Sequence, residues 1–167
     1  MQITLYKLDE NLKKILSTFL IVLTIGVSVG IIYLNLTTKL SPKGTVERYN
    51  GSQADEFEIA ENYPKPVSEL LLTTHNHVIT FALIFGFIGI IFFFNSIITR
   101  FWKNFIIIEP LISTLVTFSS IWAMRFIDEN FVYVTIVSAT LMYASFYVMS
   151  VISLYELIFK SDESQRK

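Results

Sequence analysis

Cysteine is absent from all 167 residues. That excludes disulfides, thiolate metal sites, iron–sulfur clusters, c-type haem attachment and a cysteine nucleophile. Charge is sparse too: Asp, Glu, Lys and Arg make up 16% of the chain, where an average soluble domain carries about 25%. The basic and acidic residues nearly cancel, to a formal charge of -1, so no net field selects nucleic acid as a partner. Histidine occurs only at His75 and His77, too few for a four-histidine dihaem core. No HExxH, catalytic triad or glycine-rich phosphate loop is present, and the chain reads as one without catalytic machinery.

What the sequence does have is long apolar runs. Apolar residues reach 53% and the mean hydropathy is +0.56. Crossing the hydrocarbon layer takes about 20 helical residues. Ile15 to Leu34 and Val78 to Ile98 contain no charge, Phe105 to Met124 contains only Glu109, and Phe131 to Phe159 contains only Glu156. A spanning segment must satisfy its backbone polar groups internally, which only a helix does locally. The expectation is an all-α integral membrane four-helix bundle, a single domain over 1–167, with helices at about 14–34, 66–99, 104–125 and 131–159. The first run is too long for a signal-peptide core and lacks a small-residue cleavage site, so it is read as a retained helix.

Counting cations orients the chain. Lys7, Lys13, Lys14, Arg100, Lys103, Lys160, Arg166 and Lys167 fall on one side in short segments; Lys39, Lys43, Arg48, Lys65 and Arg125 fall on the other. The positive-inside rule then puts both termini in the cytoplasm and one long extracytoplasmic loop, about 35–65, between helices 1 and 2. Ser41-Pro42, Gly44, Asn50-Gly51, Pro64 and Pro66 break that loop. It is too short and polar to have its own core, so it is expected to lie over the bundle. Asn35-Leu36-Thr37 and Asn50-Gly51-Ser52 match the glycosylation sequon and are read as chance. Pro66 and Glu69 suit the first turn of helix 2, whose inward side would carry Leu70, Leu71, Thr74, Val78, Phe81 and Ala82.

His75 and His77 sit at the outer boundary. Two positions apart on a helix, their side chains point about 200° from each other, so both cannot readily hold one metal. At the same depth lie Trp122, Met124, Arg125, Asp128 and Glu129. Three readings stand: polar interface residues; a cofactor site, either haem b (His75, His77, Met124 and Arg125) or a metal ion (His75, His77, Asp128 and Glu129); and a proton relay. Glu109 and Glu156 are expected to share a depth on the inner side, where Arg100, Lys103 and Lys160 could pair with them. The alternative is a quinone or proton-entry site, drawing on Ser113, Thr114, Thr117, Ser119 and Ser120.

Small residues recur at helical spacing in every run, as membrane helix packing requires. Gly26 pairs with Gly30, Ala82 with Gly86, Ser113 with Thr117, Ser119 with Ala123, Thr135 with Ala139 and Thr140 with Ala144. Phe92, Phe93 and Phe94 cannot all point inward, so some meet lipid or another protein.

Gly44, Tyr49 and Gly51 in the outer loop, the PKxxxELL segment from Pro64 to Leu71, Thr74-His75-Asn76-His77 and the closing SLYELIF together resemble a group of small bacterial four-span inner-membrane proteins. The resemblance covers most of the chain and implies that setting, with no particular activity. Two functions follow from the residues. One is a non-catalytic interaction or accessory subunit of a membrane complex, meeting the lipid bilayer and either another membrane or extracytoplasmic protein or a second copy of itself. The other is an electron-transfer subunit holding haem b or a metal at the histidines.

Overall fold

The computed structural model describes residues 3–52 and 62–160, and among them every regular element is helical. A 3-10 turn, Leu5–Lys7, precedes five helices: α1 Glu10–Thr38, α2 Pro42–Asn50, α3 Val67–Phe93, α4 Arg100–Phe126 and α5 Phe131–Ile158. All but α2 are long and apolar enough to cross a membrane.

The ends are set by single polar residues. Asp9 starts α1 by accepting hydrogen bonds from the amides of Asn11, at 2.9 Å, and Leu12, so the helix begins at Glu10 rather than near 14. α3 stops at Phe93 although the apolar run continues to Ile98. The cause is Asn95, whose side-chain oxygen accepts from the amides of Ile97 and Ile98, both at 2.8 Å. An Asx turn thus replaces the helical ladder. α4 accordingly starts at Arg100, one turn earlier than the charge pattern suggests.

The outer loop contains α2, a helix that its breakers conceal. Ser41 is its N-cap, accepting from the Gly44 amide at 3.1 Å, Pro42 fills the first turn, and Gly51 terminates it at φ 90°. The corner before it is tight: Lys39 and Leu40 both take positive φ, 54° and 47°. Gly44 lies directly against the Thr38 carbonyl, whose carbon would be 2.8 Å from a Cβ there.

α5 is the hub. It touches the 3-10 turn and every other helix, most closely α4. α1 is peripheral: 11% of its spanning stretch is buried, against 44% for α4. Its hold on α5 is polar, through Thr24 to Ser150 at 2.5 Å and Ser28 to Tyr147 at 2.7 Å. Hydroxyl pairs join α4 and α5 too, Thr117 with Ser138 at 2.7 Å and Ser120 with Thr135 at 2.8 Å. With lipid as solvent, apolar burial gives no net drive between helices, and such bonds contribute about 0.6 kcal/mol each, up to about 2.

The small-residue pattern is only partly used for packing. Ser113, Thr117, Thr135 and Ser138 are buried in the α4–α5 seam, while Ser119, Thr140 and Ala144 are exposed. A Cβ at Gly26 or Gly30 would meet nothing within 4 Å, because Thr24 and Ser28 carry the opposite side of α1 to α5. On α3 the close approach is at Gly89, where a Cβ would stand 3.0 Å from Ile107, and not at Gly86. Phe92 is buried and Phe93 is exposed. Leu70, Val78 and Phe81 face a shared cluster with Phe118, Ile121, Met124 and Val132, whereas Leu71 and Ala82 turn outward.

Candidate functional site

Three polar places punctuate the bundle: its α2 end, its middle and its opposite end. At the α2 end the two histidines diverge, as their spacing requires. His77 has Nδ1 2.9 Å from the Thr73 carbonyl, and its ring lies 5.9 Å from Phe81 and 5.5 Å from Phe118. His75 is exposed on another side of α3. The tryptophan beside them is anchored, with Trp122 Nε1 donating to Thr74 Oγ1 at 2.9 Å.

The remaining cofactor candidates are engaged elsewhere. Met124 is fully buried among Leu70, Phe118, Ile121 and Val132, and its carbonyl accepts from Asn50 Nδ2 at 3.3 Å. The same Asn50 amide reaches Glu129 at 3.3 Å. Asp128 accepts from the Asn130 amide at 2.7 Å. The Arg125 guanidinium lies 5.6 Å from the Phe126 ring. The structure therefore does not bring His75 and His77 together with Met124, Asp128 or Glu129, and among the described residues no three of His, Asp and Glu converge on a metal position. Asn50 and Thr74 do the joining here. Sequence reading took Asn50 as a breaker; it is the last residue of α2 and ties that helix to the α4–α5 turn.

α2 covers this end with Val46 and Tyr49, while Arg48 donates to the Tyr33 hydroxyl at 2.8 Å. Burial pushes the Tyr49 hydroxyl above its ordinary value of 10.0, with Arg48 partly opposing the shift. A raised folded value means that the contribution is fully present below the unfolded value, about 10, and is lost as pH rises through the folded one. α2 is thus expected to loosen in strongly alkaline solution. Tyr49→Phe should remove that part of the loss, followed by tyrosinate absorbance together with Trp122 emission.

At the opposite end Glu156 is completely buried. It accepts from the Ser96 amide at 2.8 Å and the Ser96 hydroxyl at 2.7 Å. Lys160 stands behind, donating to Ser96 Oγ at 2.8 Å and lying 4.7 Å from the Tyr6 ring centre. Lys103 donates to the carbonyls of Phe93, at 3.2 Å, and Asn95, the C-terminal groups of α3 that want a cation. The Leu5 amide completes the knot on the Phe94 carbonyl at 3.1 Å. The expected collar of ion pairs is therefore corrected: Lys103 and Lys160 hold backbone and hydroxyl oxygens, and among the described residues no ion pair joins either intramembrane acid to a cation.

Glu109 is also deeper than expected. Because α4 starts at Arg100, it lies two and a half turns in, and Ser145 of α5 donates to it at 2.6 Å. Ser145 is midway along α5, eleven residues and about 16 Å before Glu156, so the acids do not share a depth. Ser113 Oγ donates to the other carboxylate oxygen. Next to it Pro110 has no N–H, so the Ile106 carbonyl receives no bond from that position.

A family model described as a transmembrane helical domain matches residues 39–164. No curated protein and no solved structure matches the chain.

Proposed function

The chain belongs to that family of transmembrane helical domains, and from this premise we propose that it is a non-catalytic interaction subunit of a bacterial inner membrane. Both termini would be cytoplasmic and α2 extracytoplasmic. The observation that carries the reading is the face of α1 left vacant by its own bundle. A Cβ added at Gly26 or Gly30 would meet nothing within 4 Å, and exposed Val22, Ile25 and Val29 flank them. Two glycines a turn apart let helix backbones approach closely, a contact that lipid tails do not exploit. The partner in this reading is another membrane helix, from a second copy or a different subunit. The cation distribution supports the orientation, and the resemblance of the outer-loop and α3 motifs to small four-span proteins supports the setting.

The test is association in liposomes, read by energy transfer between donor- and acceptor-labelled chains and by cross-linking in native membranes. Gly26→Ile is expected to weaken association about tenfold, or about 1.4 kcal/mol, with helix content unchanged. Association equal to that of the unaltered chain, or none in either assay before the substitution, would exclude this face as the interface.

A further inference from the structure

We propose that Glu109, with Ser113 and Ser145, forms a reversible proton-binding site in the middle of the membrane. An acid placed among lipid tails is costly and is retained where it has work to do. Here its two carboxylate oxygens are served by hydroxyls from two helices, Ser113 on its own and Ser145 on α5. Hydroxyls are the partners that permit both protonation states. A serine can donate to a carboxylate or accept from a carboxylic acid, whereas a lysine or arginine only donates and would hold the group charged. When a proton from water binds one oxygen, that oxygen donates to the hydroxyl it formerly accepted from. The displaced serine hydrogen turns to the carbonyl one helical turn back, an ordinary partner for serine in a helix. No bond is lost in either state and no other reactant is needed.

Among the described residues, the other titratable groups lie or are engaged elsewhere. On α3 the titratable residues Glu69, His75 and His77 lie within the first three turns, at the α2 end, and the charged residues of α2 are at that end as well. On α5, Tyr143 faces Phe81, Tyr147 bonds Ser28 and Glu156 is held by Ser96. On its own helix Lys103 is committed to the carbonyls of Phe93 and Asn95. Glu109 is only half-buried, and its neighbour Ser113 lies at a mostly apolar groove on the α4–α5 seam, walled by Val116, Val134, Val137 and Leu141.

Infrared difference spectra of the full chain in liposomes, between acid and alkaline buffer, test this. Besides the bands of the water-exposed acids, a carbonyl band of a protonated carboxylic acid that exchanges slowly in deuterated water is expected to come and go with pH, to persist in Glu156→Gln and to vanish in Glu109→Gln. In the Ser113→Ala, Ser145→Ala double variant the pH at which it changes should move. A hydrophobic carbodiimide, which adds to a protonated carboxyl and rearranges to a stable acylurea, supplies a readout needing no variant. In the unaltered chain the adduct should map to Glu109 and form faster in acid. Absence of that slowly exchanging band, its indifference to pH or its survival in Glu109→Gln would overturn the proposal, as would an adduct mapping to another acid.

Discussion

Glu156→Ala is expected to lower the stability of the bundle by roughly 2–5 kcal/mol, the range for cutting a large buried side chain back to alanine, with both hydrogen bonds to Ser96 lost. The carboxylate is sealed from solvent and is the acceptor for both the amide and the hydroxyl of Ser96. Alanine leaves the Ser96 amide without its protein partner and opens a cavity between α5 and the α3–α4 turn. Glu156→Gln separates the causes. Its oxygen can still take the Ser96 amide, which cannot reverse, while its NH2 donates to the Ser96 hydroxyl, so the cost falls to about 1 kcal/mol. Denaturant titration in mixed micelles, followed by helical circular dichroism, gives both values. Equal losses for the two variants would contradict this account, since glutamine keeps both the volume and the two hydrogen bonds to Ser96.

Gly44→Ala is expected to cost about 2–3 kcal/mol by overpacking, in a different place. The added methyl would be driven into the Thr38 carbonyl, and a backbone atom cannot swing aside as a side-chain tip can. Relief requires α2 to lift away from the α1 corner, already strained by the positive φ of Lys39 and Leu40. Val46 and Tyr49 would leave the cluster that includes Trp122. With Trp102 replaced by Phe, Trp122 emission should shift to the red and become more accessible to an aqueous quencher. Unchanged emission would place the strain elsewhere.

Both sites show how far the sequence could be read. The four long helices were legible because runs such as Ile15 to Leu34 leave no charge to tolerate in water. Their borders were not, since one residue decides each: Asn95 captures two amides by its side chain and ends α3 inside an unbroken apolar run. That displacement carried through to chemistry. Starting α4 at Arg100 sinks Glu109 towards the middle of the bundle, beyond the cations that seemed near it. In the outer loop the breakers Ser41, Pro42, Gly44 and Gly51 are the start and stop signals of α2. Gly44 and Gly51 are each required by a close approach, and Tyr49 packs under the same helix, so the residues that carried the family resemblance hold the lid on. The hydroxyls were visible as small residues, but which of them join α4 to α5 depends on rotation about each helix axis. The GxxxG of α1 faces away from its own bundle for the same reason.

The central claim is that α1, α3, α4 and α5 each cross the bilayer, and a chain free of cysteine allows it to be tested directly. Single cysteines at Lys7, Lys43, Thr99, Asn130 and Phe159, all exposed between or beyond the long helices, can be probed in intact and opened cells with a membrane-impermeant maleimide. Four crossings require positions 43 and 130 to react from one side of the membrane and positions 7, 99 and 159 from the other; the proposed orientation has 43 and 130 react in intact cells and the other three only after the membrane is opened. Reaction of all five from one side, or release of the chain by alkaline extraction, would contradict the account.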